Sequence, residues 1–190
     1  LQARSLEIFE DMGIAEKALS KGIKLKGMQF FEKAKTLGGV YFKGLESKYD
    51  YLLGISQEET ERILYEKLKS NGGDVLWNHE LLDLENQEGK TYAKIKSSQR
   101  QEIKEGPFDY VLGCDGIHSK VRDLAKIPFL GSDLKETFAL ADIEMDQGPS
   151  REYGSAYLGN DGVVLFFPAE QRRRSLRPSV HRYALLPIQE

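Results

Sequence analysis

The most constraining feature of this chain is a succession of three textures near its middle. Phe108-Asp109-Tyr110-Val111-Leu112-Gly113 is short and almost continuously apolar, the pattern of a strand covered on both faces. It runs into Cys114-Asp115-Gly116, and Ser119-Lys120-Val121-Arg122-Asp123-Leu124-Ala125 then places Val121, Leu124 and Ala125 on one side of a helix. A buried strand, an acidic-glycine turn and a helix start point to an α/β sheet, in which ligands sit beyond the carboxyl ends of the strands and helix N-termini offer N–H groups to anions. Asp115 occupies such a place, where a carboxylate suits sugar hydroxyls, and Gly116 lets backbone approach a ligand without a Cβ between. An Asp-Gly pair alone is most often only a turn, so the surrounding residues must decide.

The flanking segments predict a mixed α/β chain. Leu6, Phe9 and Met12 form an apolar helical stripe that Gly13 ends, and Ile14 to Leu19 form a second short turn. Met28-Gln29-Phe30-Phe31 and Val40-Tyr41-Phe42-Lys43 read as antiparallel strands separated by Gly38-Gly39. Ser56-Gln57-Glu58-Glu59 is a capping box opening a helix that Asn71-Gly72-Gly73 closes. Asp74-Val75-Leu76-Trp77, Glu80 to Glu85 and Thr91 to Lys96 read as strands of an antiparallel excursion. Thr137 to Asp146 and Ser155 to Pro168 read as long strands, with a domain boundary near Leu130. Trp77 and the Phe30-Phe31 and Phe166-Phe167 pairs are expected in the core, although aromatic residues of the second sheet also suit the wall of an apolar pocket.

Composition excludes several classes. With 190 residues and 40% hydrophobic content the chain is long enough for a core, burying about 70% of its unfolded surface without staples. Its single cysteine, Cys114, forms no internal disulfide, and His79, His118 and His181 lack zinc-ligand spacing. A reducing, cytoplasmic setting fits. Cys114 is expected as a small buried hydrophobe, and His118 as exposed. A net charge of −3 argues against a nucleic-acid binder, and no apolar run approaches the roughly 20 residues of a membrane span.

The wider string from Asp109 to Arg122 resembles a motif of the flavoprotein aromatic hydroxylases, the family typified by para-hydroxybenzoate and phenol hydroxylases. Asp115-Gly116, Ser119, Val121 and Arg122 match, preceded by Gly113, and Cys114 stands where alanine is commoner. Gln2-Ala3-Arg4-Ser5-Leu6-Glu7 is similar to the family's helix whose glutamine and arginine lie near the flavin ribose and pyrophosphate. The helix at Gln57 is similar to the one whose early glutamine touches the ribityl and phosphate region, with Ser56 in place of the usual proline. The resemblance covers Leu1 to Pro168. It implies a partial Rossmann-like FAD-binding domain with an antiparallel β insertion over residues 1–129, and the start of a β-sheet substrate domain over 130–168.

The resemblance also implies the chemistry. An FAD- and NAD(P)H-dependent monooxygenase would insert oxygen from O2 into a small phenolic or polycyclic aromatic substrate through a flavin C4a-hydroperoxide, with Gln2, Arg4, Gln57, Asp115 and Gly116 at the cofactor. No side chain stands out as a catalytic acid or base. The family's Gly-x-Gly-x-x-Gly fingerprint and its later Gly-Asp segment are absent from the text, and Leu1 opens in the turn of a helix, so the chain reads as an internal fragment that alone holds FAD poorly. A halogenase or isoprenoid reductase of the same architecture, or a non-catalytic remnant, are the alternatives. Residues 169–190 read as an atypical basic tail: Gln171-Arg172-Arg173-Arg174-Ser175-Leu176-Arg177-Pro178 has no strand pattern, nor an aromatic platform for nucleic acid.

Overall fold

The computed structural model describes residues 1–97, 99, 101–132, 138–143, 145, 148–160, 162–169 and 181–187. Leu6 and Phe9 are the buried stripe of helix α1 (Ala3–Asp11), as their spacing predicts. Gly13, at φ +70°, ends it: its N–H reaches the Glu10 carbonyl and the Ile14 N–H reaches that of Phe9, the paired bonds of a Schellman cap. Helix α2 (Ala15–Leu19) follows, burying Ala15 and Ala18. Strand β1 (Ile23–Leu25) leads into β2 (Gly27–Glu32) and β3 (Lys35–Tyr41), an antiparallel pair turned at Lys33, which sits at φ 53°. Gly38-Gly39, expected in the loop between them, lies inside β3. The tight turn comes earlier, where Lys33 adopts the left-handed backbone that the glycines were expected to supply.

Strand β4 (Leu52–Gly54) pairs with β1 and delivers the chain to α3 (Gln57–Ser70). Leu6, Phe9, Ile14, Ala15, Ala18, Tyr49, Leu53 and Ile63 make one buried cluster, so α1, α2, β4 and α3 share a core.

Two compact units organise the chain: Leu1–Gly73 with Lys135–Glu190, and Asp74–Leu134. In the second unit β5 (Glu80–Gln87), β6 (Lys90–Lys96) and β7 (Glu102–Phe108) form an antiparallel meander, followed by α4 (Lys120–Leu124). Two expected strands are absent. Of Phe108 to Gly113, read as a central covered strand, Phe108 ends β7 and residues 109–113 run on without a ladder among the described residues, with Tyr110 and Leu112 86% and 80% exposed. Residues 74–77 likewise form no strand, and Trp77 is 66% exposed rather than core. The physical reason is common to both: an apolar run becomes a strand only where a neighbour receives its N–H and C=O groups.

In the first unit, β8 (Phe138–Ile143), β9 (Gly154–Gly159), β10 (Gly162–Ala169) and β11 (His181–Pro187) join β2 and β3 in a six-stranded sheet of order β3-β2-β9-β10-β11-β8. The β2–β9 pair is parallel and the others antiparallel. Ser155 to Pro168 is a hairpin rather than one long strand: β10 folds back antiparallel onto β9 from the Gly159–Gly162 pair onward. Residues 169–190 include strand β11, paired with both β8 and β10, where a basic tail was expected. The arginine run at 171–178 lies outside the described residues.

Candidate functional site

Gln2 is the N-cap of α1 and makes no side-chain cap bond, so its side chain leaves the first-turn amides of this helix uncapped. Its carbonyl accepts the Leu6 N–H at 3.1 Å. Arg4, in the first turn and exposed, pairs with Glu7 at 3.3 Å, and Glu7 in turn accepts the Ser47 hydroxyl at 2.8 Å. Gln57 is exposed at the first turn of α3 and donates to Glu61 at 2.7 Å. That helix does have its cap: the Ser56 hydroxyl accepts the Glu59 N–H at 3.2 Å. The reciprocal half of the capping box is replaced by a Glu59–Arg62 ion pair at 2.5 Å.

One strand fixes both helix starts. Leu1 and Leu53 exchange both backbone bonds, at 2.6 and 2.8 Å, the pattern of a hydrogen-bonded antiparallel pair. Gln2 therefore follows directly on a residue tied to β4, and Gln57 lies four residues beyond that same tie. The polar ends of α1 and α3 are set by this shared strand and by the core beneath it.

Asp115 and Gly116 belong to the second unit. Asp115 accepts the Ser119 hydroxyl on Oδ1 at 2.5 Å, and the N–H groups of Lys120 and Val121 on Oδ2 at 2.6 and 3.2 Å. These bonds hold its carboxyl below the ordinary carboxylate range, the Ser119 bond most of all, with the amides of Val121, Asp115 itself and Lys120 adding to it. Ser119 is buried and its oxygen also accepts the Arg122 N–H at 3.1 Å, capping α4. Arg122 closes the turn by donating to the Ile117 carbonyl at 2.7 Å, its guanidinium 4.4 Å from the Phe129 ring centroid. Gly116 is at φ +78° with nothing within 4 Å of where a Cβ would stand, so backbone conformation and not crowding requires glycine there. Gly113 is the opposite case, since a Cβ would stand 2.8 Å from that of Val121.

The expected residues thus fall into two groups, Gln2, Arg4 and Gln57 in one unit and Asp115 with Gly116 in the other. Ser119 is the residue whose role the sequence reading passed over. Its signal was a serine four positions after Asp115, at the cap of the next helix. Cys114 is exposed, against the expectation of a buried thiol: it follows directly on the stretch that was to have been a covered strand and forms no ladder. His118 is exposed, as expected. Among the described residues no helix is long and apolar enough to cross a membrane, and no metal-ligand cluster occurs.

Within each unit, taken by itself, the features suit part of a dinucleotide. An uncapped helix start with a glutamine and an exposed arginine suits a pyrophosphate, and an open glycine turn admits close approach. Comparison with known proteins agrees. The FAD binding domain family matches residues 1–186. An uncharacterised aromatic compound monooxygenase of Bacillus subtilis is 30% identical over 182 residues, which cover 96% of this chain and 36% of that protein. The pentachlorophenol 4-monooxygenase of Sphingobium chlorophenolicum is 31% identical over 140 residues, 72% of this chain and 26% of that one. Among solved structures, p-nitrophenol 4-monooxygenase from Pseudomonas putida shares the fold, with a TM-score of 0.83 at 12% identity over 99% of this chain and 47% of its own. The chain spans about a third of the length of these curated relatives.

Proposed function

The chain belongs to the FAD-dependent monooxygenase family, whose FAD binding domain it matches over residues 1–186, and we propose that it supplies part of the cofactor-holding domain of an aromatic-ring hydroxylase. The observation that carries this reading is the family match itself, which runs through both compact units and all five candidate residues. In this reading residues 1–129 are FAD-binding, residues 130–168 begin the substrate domain, and residues 169–190 continue it through β11. The substrate class is a small phenolic or polycyclic aromatic, with NAD(P)H as reductant and O2 as oxidant. The names of the matched monooxygenases support that class. An exposed, unpaired Cys114 is compatible with a reducing, cytoplasmic setting.

FAD, when bound, supplies the activation of O2 and the oxygen transfer. The chain's own residues bind and orient. Arg4 offers charge-assisted donors to the pyrophosphate, in competition with Glu7. Gln2 and Gln57 contribute neutral hydrogen bonds from the two helix starts that β4 anchors. The 115–122 turn presents backbone at Gly116.

The test is a titration of the full-length protein with FAD, read by flavin absorbance and fluorescence. Arg4→Ala should weaken binding more than Gln57→Ala, because a charged donor is lost rather than a neutral one, and the gap should shrink as salt rises. NAD(P)H oxidation stimulated by a phenol series completes the assay. A full-length protein that takes up no FAD would overturn the reading, and the reverse order of the two variants at low salt would overturn their assignment.

A further inference from the structure

We propose that Ser119 is a positioning residue for the cofactor turn, holding the exposed Asp115 carboxylate against its own loop so that Asp115 organises the backbone of residues 115–122 instead of binding the flavin's sugar hydroxyls directly. The inference rests on the FAD reading above and changes how the Asp-Gly motif serves it. An ionised carboxylate has roughly four lone-pair sites. Three are taken by the Ser119 hydroxyl and the amides of Lys120 and Val121, and the Asp115 amide supports the same charge. Little accepting capacity remains for a ligand.

Ser119 has a single proton to donate, and it goes to Asp115 Oδ1; its oxygen meanwhile accepts the Arg122 N–H. Because the residue is 6% exposed, water cannot readily replace either bond. Arg122 then fastens Ile117, the residue after Gly116, so the turn is closed by side chains from both of its ends. The open part is Gly116, whose surroundings are clear for a ligand. Asp115, Ser119 and Arg122 act as one hydrogen-bonded unit that presents this glycine.

A double-mutant cycle on the full-length protein tests this, with FAD dissociation constants and the melting temperature of the FAD-free protein measured together. Ser119→Ala and Asp115→Asn should each weaken FAD binding about tenfold, and the double variant should be no weaker than the worse single one, since both break the same unit. Ser119→Thr, which keeps the hydroxyl, should restore affinity to within about twofold of wild type, and it stands in should Ser119→Ala fail to fold. Wild-type affinity in Ser119→Ala beside a loss in Asp115→Asn would overturn the proposal, as would additive losses, because Asp115 would then meet the cofactor itself. Loss of affinity in a well-folded Ser119→Thr would also overturn it. A wild-type protein that binds no FAD would instead sink the underlying reading.

Discussion

Asp115 shows how a single residue's surroundings change the chemistry its identity suggests. A carboxylate at an Asp-Gly turn reads as a ligand for hydroxyls, yet here it is an acceptor for its own loop. Its pKa is depressed, chiefly by the Ser119 hydroxyl, so the sign of its pH dependence is fixed. The stabilising effect of the clasp is present above the ordinary carboxylate pKa and is lost as pH falls through the lower, folded value. In a 13C NMR titration of the Asp115 carboxyl, the midpoint should lie below that of an aspartate free of such hydrogen bonds and should rise toward it in Ser119→Ala. An unmoved midpoint in that variant would show that the Ser119 bond is not the main cause.

At the scale of elements, the approach to α3 holds two features only three residues from start to end, with different costs. Ser56→Ala removes one cap bond and should destabilise by about 1 kcal/mol. Gly54→Ala should cost more, about 1–3 kcal/mol, because the new Cβ would run into the Pro168 carbonyl oxygen, and a backbone group cannot swing aside as a side chain can. Thermal melts of the two variants check the order, and a Gly54→Ala protein as stable as wild type would mean that β4 and β10 do not abut as described. The contrast also explains what could be read in advance. The Ser56 cap, the Gly13 terminator and the Asp115-to-Arg122 turn are local, so the sequence displays them. The contact of Gly54 with Pro168, and the pairing of β11 with β8 and β10, depend on residues far apart in the chain. Periodicity carries no information about such partners, which is why β11 was passed over and Phe108 to Gly113 was taken for a central strand.

At the scale of the whole molecule, the two units differ in how completely they bury their apolar residues. Leu1–Gly73 with Lys135–Glu190 contains the cluster built on Leu6, Leu53 and Ile63. Asp74–Leu134 instead leaves several large apolar side chains in water, Tyr110, Leu112 and Leu130 most of all, the last 87% exposed. Covering one such side chain contributes roughly 1.5–3 kcal/mol, which is a sizeable part of a typical stability of about 5–15 kcal/mol, so these residues favour any contact that hides them. The 190-residue chain should therefore self-associate with rising concentration and bind a hydrophobic dye. Replacing Tyr110, Leu112 and Leu130 together by serine should suppress both effects while leaving the melting temperature nearly unchanged, since the lost contacts with the chain itself are few. Light scattering and dye fluorescence across a concentration series make the comparison. A parent chain that stays monomeric and dark to the dye would show that these side chains are covered within the chain, and a triple variant that melts well below the parent would place them in its core.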